Sequence, residues 1–385
     1  MKSILKYCFL ILSICLCQCK TRFEPAIIAS NLNYLVVDGF LNNSRDSTFI
    51  RLSRTRKIDS SLLNAGEKNA LITVEDNGGN TLYQFAETTT SGKYTVPGMT
   101  LDLNNKYRLR IKTADGREYL SDEISVTQTP PIDSINWEHT SAGVNIYANT
   151  HNPNNNTRYY RWEYVETYEY HARFLSFLLY DTAANSGSPQ ALRPRADSEL
   201  IYACFRTINS GAILLAESAN LTDDIISRFP LRKIDQDAQE LSVRYSILVR
   251  EYSLTKEAYE YLQNLRRITE QTGSIFDAQP AELTGNIRSV ENAAEPVLGW
   301  VTACNIDSSR MFISNHEVKP WPFDRMCERI LVHQSLPDFE FWFRQQGYIP
   351  IEYYNSSIIS PVWAALPECV DCRILGGTTV KPDFW

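Results

Sequence analysis

Glu166, Glu169 and His171 lie close together in the sequence ETYEYH and carry the carboxylate and imidazole groups that bind transition metals. The aromatic residues around them predict a β-strand, in which successive side chains point to opposite faces. Glu169 and His171 would then share one face, and Glu166 would lie on the other. Because this arrangement separates the three groups, we predict no metal site here.

The sequence contains none of the common catalytic motifs. It has no GxSxG nucleophile elbow, no Walker A loop and no GxGxxG dinucleotide-binding turn. Acidic pairs such as Asp223/Asp224 have the residue types of glycosidase acids, but 45 acidic residues make such pairs frequent by chance. We therefore predict a protein that is not an enzyme and needs no cofactor.

The composition indicates a folded protein with more than one domain. The chain has 385 residues, enough for two or three domains at roughly 100–200 residues each. Its net charge is −7, whereas a nucleic-acid-binding protein needs a basic face to replace the counterions of the phosphates. We predict no nucleic-acid partner. The 21 Tyr and 16 Phe residues favour sheets over helical bundles.

Residues 1–19, MKSILKYCFLILSICLCQC, predict a lipoprotein signal peptide. Lys2 and Lys6 form a positive start, and residues 9–16 form an apolar core that is too short to span a bilayer. The segment is therefore interpreted as an export signal, followed by a tether over 20–33.

Cys19 is the predicted site of lipidation. Leu16 precedes it by three residues, the spacing of a bacterial lipobox, in which the cysteine is lipidated and begins the mature chain. Cys15 and Cys17 remain alternatives, because Gln18 is not the small residue usual before the modified cysteine. The other interpretation is an ordinary signal peptide that is cleaved to leave a soluble periplasmic protein.

Five cysteines follow the signal: Cys204, Cys304, Cys327, Cys369 and Cys372. Disulfides are expected in an exported protein, and an odd number leaves at least one thiol outside them. The CxxC of Cys369 and Cys372 lacks the further ligands of a zinc site and the βαβ context of a redox motif. We predict structural disulfides that join Cys204 or Cys327 to this pair, with the connectivity left open.

Residues 34–128 predict an immunoglobulin-like β-sandwich. Seven short segments rich in β-branched and aromatic residues are separated by turn sequences such as Asn77-Gly78-Gly79 and Asp115-Gly116. Thr129-Pro130-Pro131 ends this unit, since paired prolines interrupt a strand ladder. The predicted fold class is mainly β.

Residues 132–385 predict a larger β-rich (α+β) domain with one long amphipathic helix near 254–272. Tyr160, Trp162 and Tyr164 alternate along a long strand and would form a buried aromatic face. A short helix is expected over 220–230. The closing aromatic residues, Phe384 and Trp385, predict a docked C-terminal segment.

The long helix has several sequence signals of its own. Ser253 or Thr255 can cap its start, and Glu257 lies in the first turn, where the helix dipole favours a negative charge. Its apolar residues recur at steps of three and four and make one stripe: Ala258, Tyr261, Leu262, Leu265 and Ile268.

The irregular stretch Gly273–Gly285, which follows the helix, is a candidate interaction loop, together with the aromatic-rich region 318–363. The loop residues that would make the contact are Ile275, Phe276, Asp277, Gln279 and Pro280. The alternative interpretation of this loop is a crossover that is held by core contacts.

Residues 245–287 and the closing CVDCRILGGTTVKPDFW (369–385) resemble blocks of a Bacteroidota outer-membrane lipoprotein family known as domain of unknown function 4249. The resemblance implies a lipid-anchored, outer-membrane-associated protein that is encoded beside a TonB-dependent receptor, with no catalytic residues to carry over. Lys20-Thr21-Arg22 replaces the acidic residues common after the lipidated cysteine of surface-displayed members. The choice between the cell surface and the periplasmic leaflet therefore stays open.

Two functions from different classes follow from these observations. The first is a non-catalytic accessory or ligand-binding lipoprotein that works with a TonB-dependent outer-membrane receptor in nutrient uptake. The alternative is an envelope hydrolase acting on glycans or peptides. The ligand and the identity of the partner are not encoded in any motif of the sequence.

Overall fold

The computed structural model describes residues 33–56, 66–181, 191–270, 283–355, 357–358 and 360–385. Within these ranges the chain is mainly β, with 24 strands numbered β1 to β24 in chain order and few helices. This confirms the predicted fold class. A large curled sheet, a sandwich of two smaller sheets and a three-stranded sheet follow one another along the chain.

The N-terminal sheet contains every strand segment predicted from turns and alternation. Its strands are β1 (Leu35–Gly39), β2 (Leu41–Asn42), β3 (Thr48–Arg54), β4 (Leu71–Glu75), β5 (Thr81–Glu87), β6 (Lys93–Val96), β7 (Lys106–Lys112), β8 (Glu118–Ser121) and β9 (Ile124–Thr127). Two later strands complete it: β19 (Ile287–Ser289) and β20 (Ala303–Cys304).

The sheet is nearly closed. Its hydrogen-bonded path runs β1-β3-β6-β5-β4-β7-β9-β20-β2, and only Phe40 separates β1 from β2 in sequence. β20 lies parallel between its two neighbours, with Ala303 opposite Leu41 on one side and Val126 on the other. Residues 34–128 therefore do not complete this sheet alone. The immunoglobulin-like topology stays a prediction.

The central unit packs a three-stranded sheet (β10-β11-β17) against a five-stranded sheet (β15-β12-β18-β21, with β16 beside β12). The bounds are β10 (Ile132–Thr140), β11 (Gly143–His151), β12 (Tyr159–His171), β15 (Ala203–Asn209), β16 (Leu214–Glu217), β17 (Ile225–Asp235), β18 (Arg244–Ser253) and β21 (Ile306–Ser314). Tyr160 and Trp162 are fully buried, and Tyr164 packs against the same core. The predicted aromatic face is thus confirmed as core.

The helix predicted over 220–230 is wrong. β17 begins at Ile225 and pairs antiparallel with β11. Register shifts interrupt this pairing, and Arg228 has a positive φ of 52°. These irregularities break the period-two pattern by which a strand is recognised in sequence.

The long helix spans Lys256–Glu270, within the predicted range. The Thr255 hydroxyl accepts a hydrogen bond from the Ala258 amide at 3.3 Å, so Thr255 is the cap. Ala258 and Tyr261 are buried, and the Tyr261 hydroxyl accepts a hydrogen bond from the Gly299 amide at 3.1 Å. The helix thereby packs on the segment that leads into β20.

The C-terminal unit is a three-stranded antiparallel sheet of order β22-β24-β23. Its strands are β22 (Arg329–Val332), β23 (Ile349–Tyr353) and β24 (Val362–Ala365), and the hairpin β13 (Leu178–Tyr180) and β14 (Leu192–Pro194) lies nearby. Short helices cover Leu336–Phe339, continuing as π-helical turns over Glu340–Gln345, and Pro367–Val370. The first is capped by Ser335, whose hydroxyl accepts a hydrogen bond from the Asp338 amide at 3.3 Å. Further single turns cover Asp197–Glu199, Gln239–Leu241, Asn315–Glu317 and Cys372–Leu375.

Candidate interaction site

In the structure, Glu166 lies on the opposite face of its strand from Glu169 and His171, as the sequence predicts. Glu169 and His171 share a face of β12, with 3.0 Å between Oε1 and Nε2. Glu166 lies on the buried face, where it accepts hydrogen bonds from Tyr245 Oη (2.9 Å) and Arg232 Nε (3.1 Å). Within the described ranges, no group of three or more His, Cys, Asp or Glu side chains is placed to bind a metal.

Asp224, the buried member of the Asp223/Asp224 pair, also has structural partners. It accepts hydrogen bonds from Tyr160 Oη at 2.8 Å and Ser218 Oγ at 2.5 Å. Burial raises the pKa of Tyr160, and the bond to this carboxylate raises it further. The buried acids Glu166 and Asp224 are thus both hydrogen-bonded to side chains within the core.

The four cysteines chosen from the sequence form two disulfides. Cys204 pairs with Cys372 and Cys327 pairs with Cys369, with Cα–Cα distances of 5.7 and 5.8 Å. The CxxC cysteines are therefore bonded to other parts of the chain rather than to each other. Cys304 is a free, buried thiol, and burial raises its pKa to about 12.

The closing residues are docked, as their aromatic character predicts. Trp385 lies edge-on to Phe205 and Phe312, with ring centroids 5.4 and 5.7 Å apart. Its indole Nε1 donates to Glu169 Oε2 at 3.1 Å, and the Arg310 guanidinium lies 3.6 Å from the Phe384 ring centroid. The outer face of the five-stranded sheet is therefore covered here by the chain itself.

Exposed apolar side chains are concentrated in the last part of the chain. Of the 17 large apolar side chains exposed among the described residues, ten lie between residues 326 and 385. Met326 is 93% exposed, and Ile358 is 73% exposed. Because exposed apolar side chains are costly in water unless a partner covers them, this region is the candidate interaction site.

A groove of about 270 Å³ lies beside the Cys327–Cys369 disulfide. Its lining includes both apolar and charged side chains: Arg325, Met326, Glu328, Ile330, Tyr348 and Leu366. Apolar contact area with a few placed charges is the usual composition of a recognition groove.

Aromatic and arginine side chains also pack together on the C-terminal sheet. The Arg329 guanidinium lies 4.2 Å from the Trp363 ring centroid, and it pairs with Glu352 at 3.5 Å. Tyr354 packs against Trp363 at 5.7 Å. Trp, Tyr and Arg are the residue types that contribute most to protein–protein binding energy.

The sequence located part of this surface. Region 318–363 is predicted to make contacts, and six of the nine residues that line the groove lie inside it, with Leu366, Glu368 and Cys369 just after it. The residues of the predicted loop, Ile275, Phe276, Asp277, Gln279 and Pro280, lie outside the described residues, as do Cys19 and the signal peptide. Sequence reasoning did not single out Met326 and Leu366, whose segments are joined by the β22–β24 pairing and the Cys327–Cys369 bond; the Met between charged residues in DRMCER was the available signal.

Comparison with known proteins places the chain in a family. A model described as Domain of unknown function (DUF4249) matches residues 20–310, about three-quarters of the sequence. The chain belongs to this family. The match covers the N-terminal sheet and most of the central sandwich, and the groove beside Cys327 lies after it. No curated protein matches the chain.

Three solved structures show weak similarity. A structure of manganese lipoxygenase of Gaeumannomyces graminis and zonadhesin of Komagataella pastoris is 10% identical, covers 60% of this chain and 91% of that one, and has a TM-score of 0.18. A tetra-tandem repeat of a large adhesion protein is 11% identical (77% and 50% covered, TM-score 0.16). Chitinase ChiA74 from Bacillus thuringiensis is 14% identical (54% and 29% covered, TM-score 0.15). This chain thus spans half or less of the last two.

No helix among the described residues is long and apolar enough to cross a membrane.

Proposed function

We propose that this family member is a non-catalytic, lipid-anchored protein of the outer membrane that binds a TonB-dependent receptor and serves it as an accessory or ligand-binding subunit in nutrient uptake. The anchor is the lipid on Cys19, and the contact surface is the groove beside Cys327–Cys369. The sequence resemblance indicates the class of partner, and the predicted signal peptide indicates the location.

The groove is the observation that carries this proposal. Met326 and Leu366 expose apolar surface there, with Leu366 39% exposed, and Arg325 and Glu328 stand beside them. Interface centres are enriched in Met, Arg and aromatic residues, and Met326, Arg325 and Tyr348 line this groove. A disulfide fixes the groove, so binding would not have to order it.

Pull-down from detergent-solubilised membranes, with the tagged chain at native level, tests the proposal. We expect one TonB-dependent barrel in near-stoichiometric amount. Leu366→Glu places a charge in the groove and should lower recovery about tenfold or more, roughly the 1.4 kcal/mol of one lost contact. Val290→Glu is the matched control, because Val290 is 56% exposed but lies beside β19 in the N-terminal sheet.

Recovery of no barrel with the unaltered chain would overturn the receptor assignment. Equal losses in Leu366→Glu and Val290→Glu would overturn the assignment of the contact to the groove.

A further inference from the structure

We propose that the extended segment Pro322–Val332, here called the docking edge, accepts an extended segment of the protein partner, which adds to β22 as a further strand. The partner class rests on the proposed function, but the mode of binding rests on the geometry of this segment alone.

The side of the docking edge that faces away from β24 has no backbone partner in the described chain. β22 pairs with β24, and no other described strand pairs with β22. Residues 322–328 continue from it without regular structure, and none of their backbone groups bonds to another backbone group of the described chain. A row of free N–H and C=O groups is the template to which an added strand binds.

Side-chain exposure alternates along residues 322–328, as it does in a strand. Pro322, Asp324, Met326 and Glu328 are exposed, while the residues between them are half-buried. The outward row is therefore acidic, apolar and acidic in turn. Arg173 already pairs with Asp324 at 3.2 Å. Opposite charges and apolar pairs stabilise facing strands, so the complementary partner segment has an apolar residue opposite Met326 and a Lys or Arg opposite Glu328.

Several contacts hold the docking edge in its extended form. The Cys327–Cys369 disulfide fixes its middle, and Arg325 Nη1 donates to the Glu368 carbonyl at 3.3 Å. Trp321, just before it, donates from Nε1 to the Ala238 carbonyl at 2.8 Å. Because the segment is already ordered, an added strand loses little free energy to ordering it.

Proline substitution separates strand addition from side-chain docking. Amides of successive residues point to opposite sides of an extended chain, so one of Arg325 and Met326 directs its N–H toward the partner. Neither amide bonds to another backbone group of the described chain, so Arg325→Pro and Met326→Pro should keep the unfolding temperatures of Arg325→Ala and Met326→Ala, which lose the same side chains. We expect one of the two proline variants to recover at least tenfold less partner than the alanine variant of the same residue.

A photo-crosslinking residue identifies what lies on the docking edge. Benzoylphenylalanine in place of Met326, irradiated in cells, should form adducts with one extended peptide of a partner, and the same residue at Val290 should not. An adduct with a TonB-dependent barrel supports both proposals. An adduct with another protein, lost in the sensitive proline variant, supports strand addition and overturns the receptor assignment.

Two results would overturn strand addition. One is crosslinking at Met326 no stronger than at Val290, even with a barrel recovered in the pull-down. The other is an alanine variant that loses as much partner as its proline counterpart.

Discussion

Glu251 places a carboxyl group in the middle of the central sandwich, away from water. It accepts hydrogen bonds from Trp162 Nε1 at 2.8 Å and Thr150 Oγ1 at 2.9 Å, and it is fully buried. Burial raises its pKa from 4.5 to about 8, and the nearby carboxylates of Asp307 and Asp133 add to the increase. The folded protein therefore favours the protonated acid near neutral pH.

Protein stability should fall as pH rises from about 4.5 to about 8. In this window the unfolded chain has lost the Glu251 proton and the folded chain keeps it, so deprotonation favours unfolding. The slope is at most ~1.4 kcal/mol per pH unit. Glu251→Gln should remove it, and Glu257→Gln, on the exposed start of the helix, should not. Urea unfolding at several pH values measures this; parallel profiles for the unaltered chain and Glu251→Gln would contradict it.

The sequence is sufficient to place Glu251 on a buried face, but it does not identify the donors of its hydrogen bonds. The alternation of β18 places Glu251 on the same face as Val249 and Ile247, which reads as core. The donors to Glu251 are set by how β11 and β12 align with β18. No local sequence pattern predicts that alignment. The same limit left the cysteine pairing open.

At the scale of elements, the closing segment and the long helix differ in what fixes them. The helix is set by neighbouring residues, such as the Thr255 cap, and was predicted almost to its bounds. The closing segment was predicted to dock because Trp385 is aromatic. Its partners Phe205 and Phe312 lie on strands that are remote in sequence, so the docking surface could not be named.

Trp385→Ala should lower the free energy of unfolding by about 2 kcal/mol, less than the ~3–5 kcal/mol for a fully buried aromatic residue, because Trp385 is half-buried. Both ring contacts and the bond to Glu169 are lost. Val380→Ala is the control, since Val380 is 71% exposed. Urea unfolding compares them, and equal midpoints for the two variants would argue against a docked segment.

At the scale of the whole molecule, the lipid proposed on Cys19 would determine where the chain resides. Cys19→Ala should move the protein from the membrane fraction to the soluble periplasmic fraction, because the acyl chains that hold it are lost. Cys15→Ala and Cys17→Ala are the matched controls and should stay with the membrane. Fractionation with metabolic fatty-acid labelling measures this. Release by Cys17→Ala instead of Cys19→Ala would assign the lipid to Cys17.

The strand order of the N-terminal sheet also has a consequence for biogenesis. β20 lies between β2 and β9, so the edge of β2 stays unpaired until β20 folds against it and Ala303 lies opposite Leu41. During synthesis, more than two hundred and fifty residues must emerge between these two strands. Contacts so distant in sequence form slowly, and unpaired strand edges aggregate. Under the proposed export, the first domain to leave the translocon would thus be among the last to finish folding, with an open strand edge during that interval.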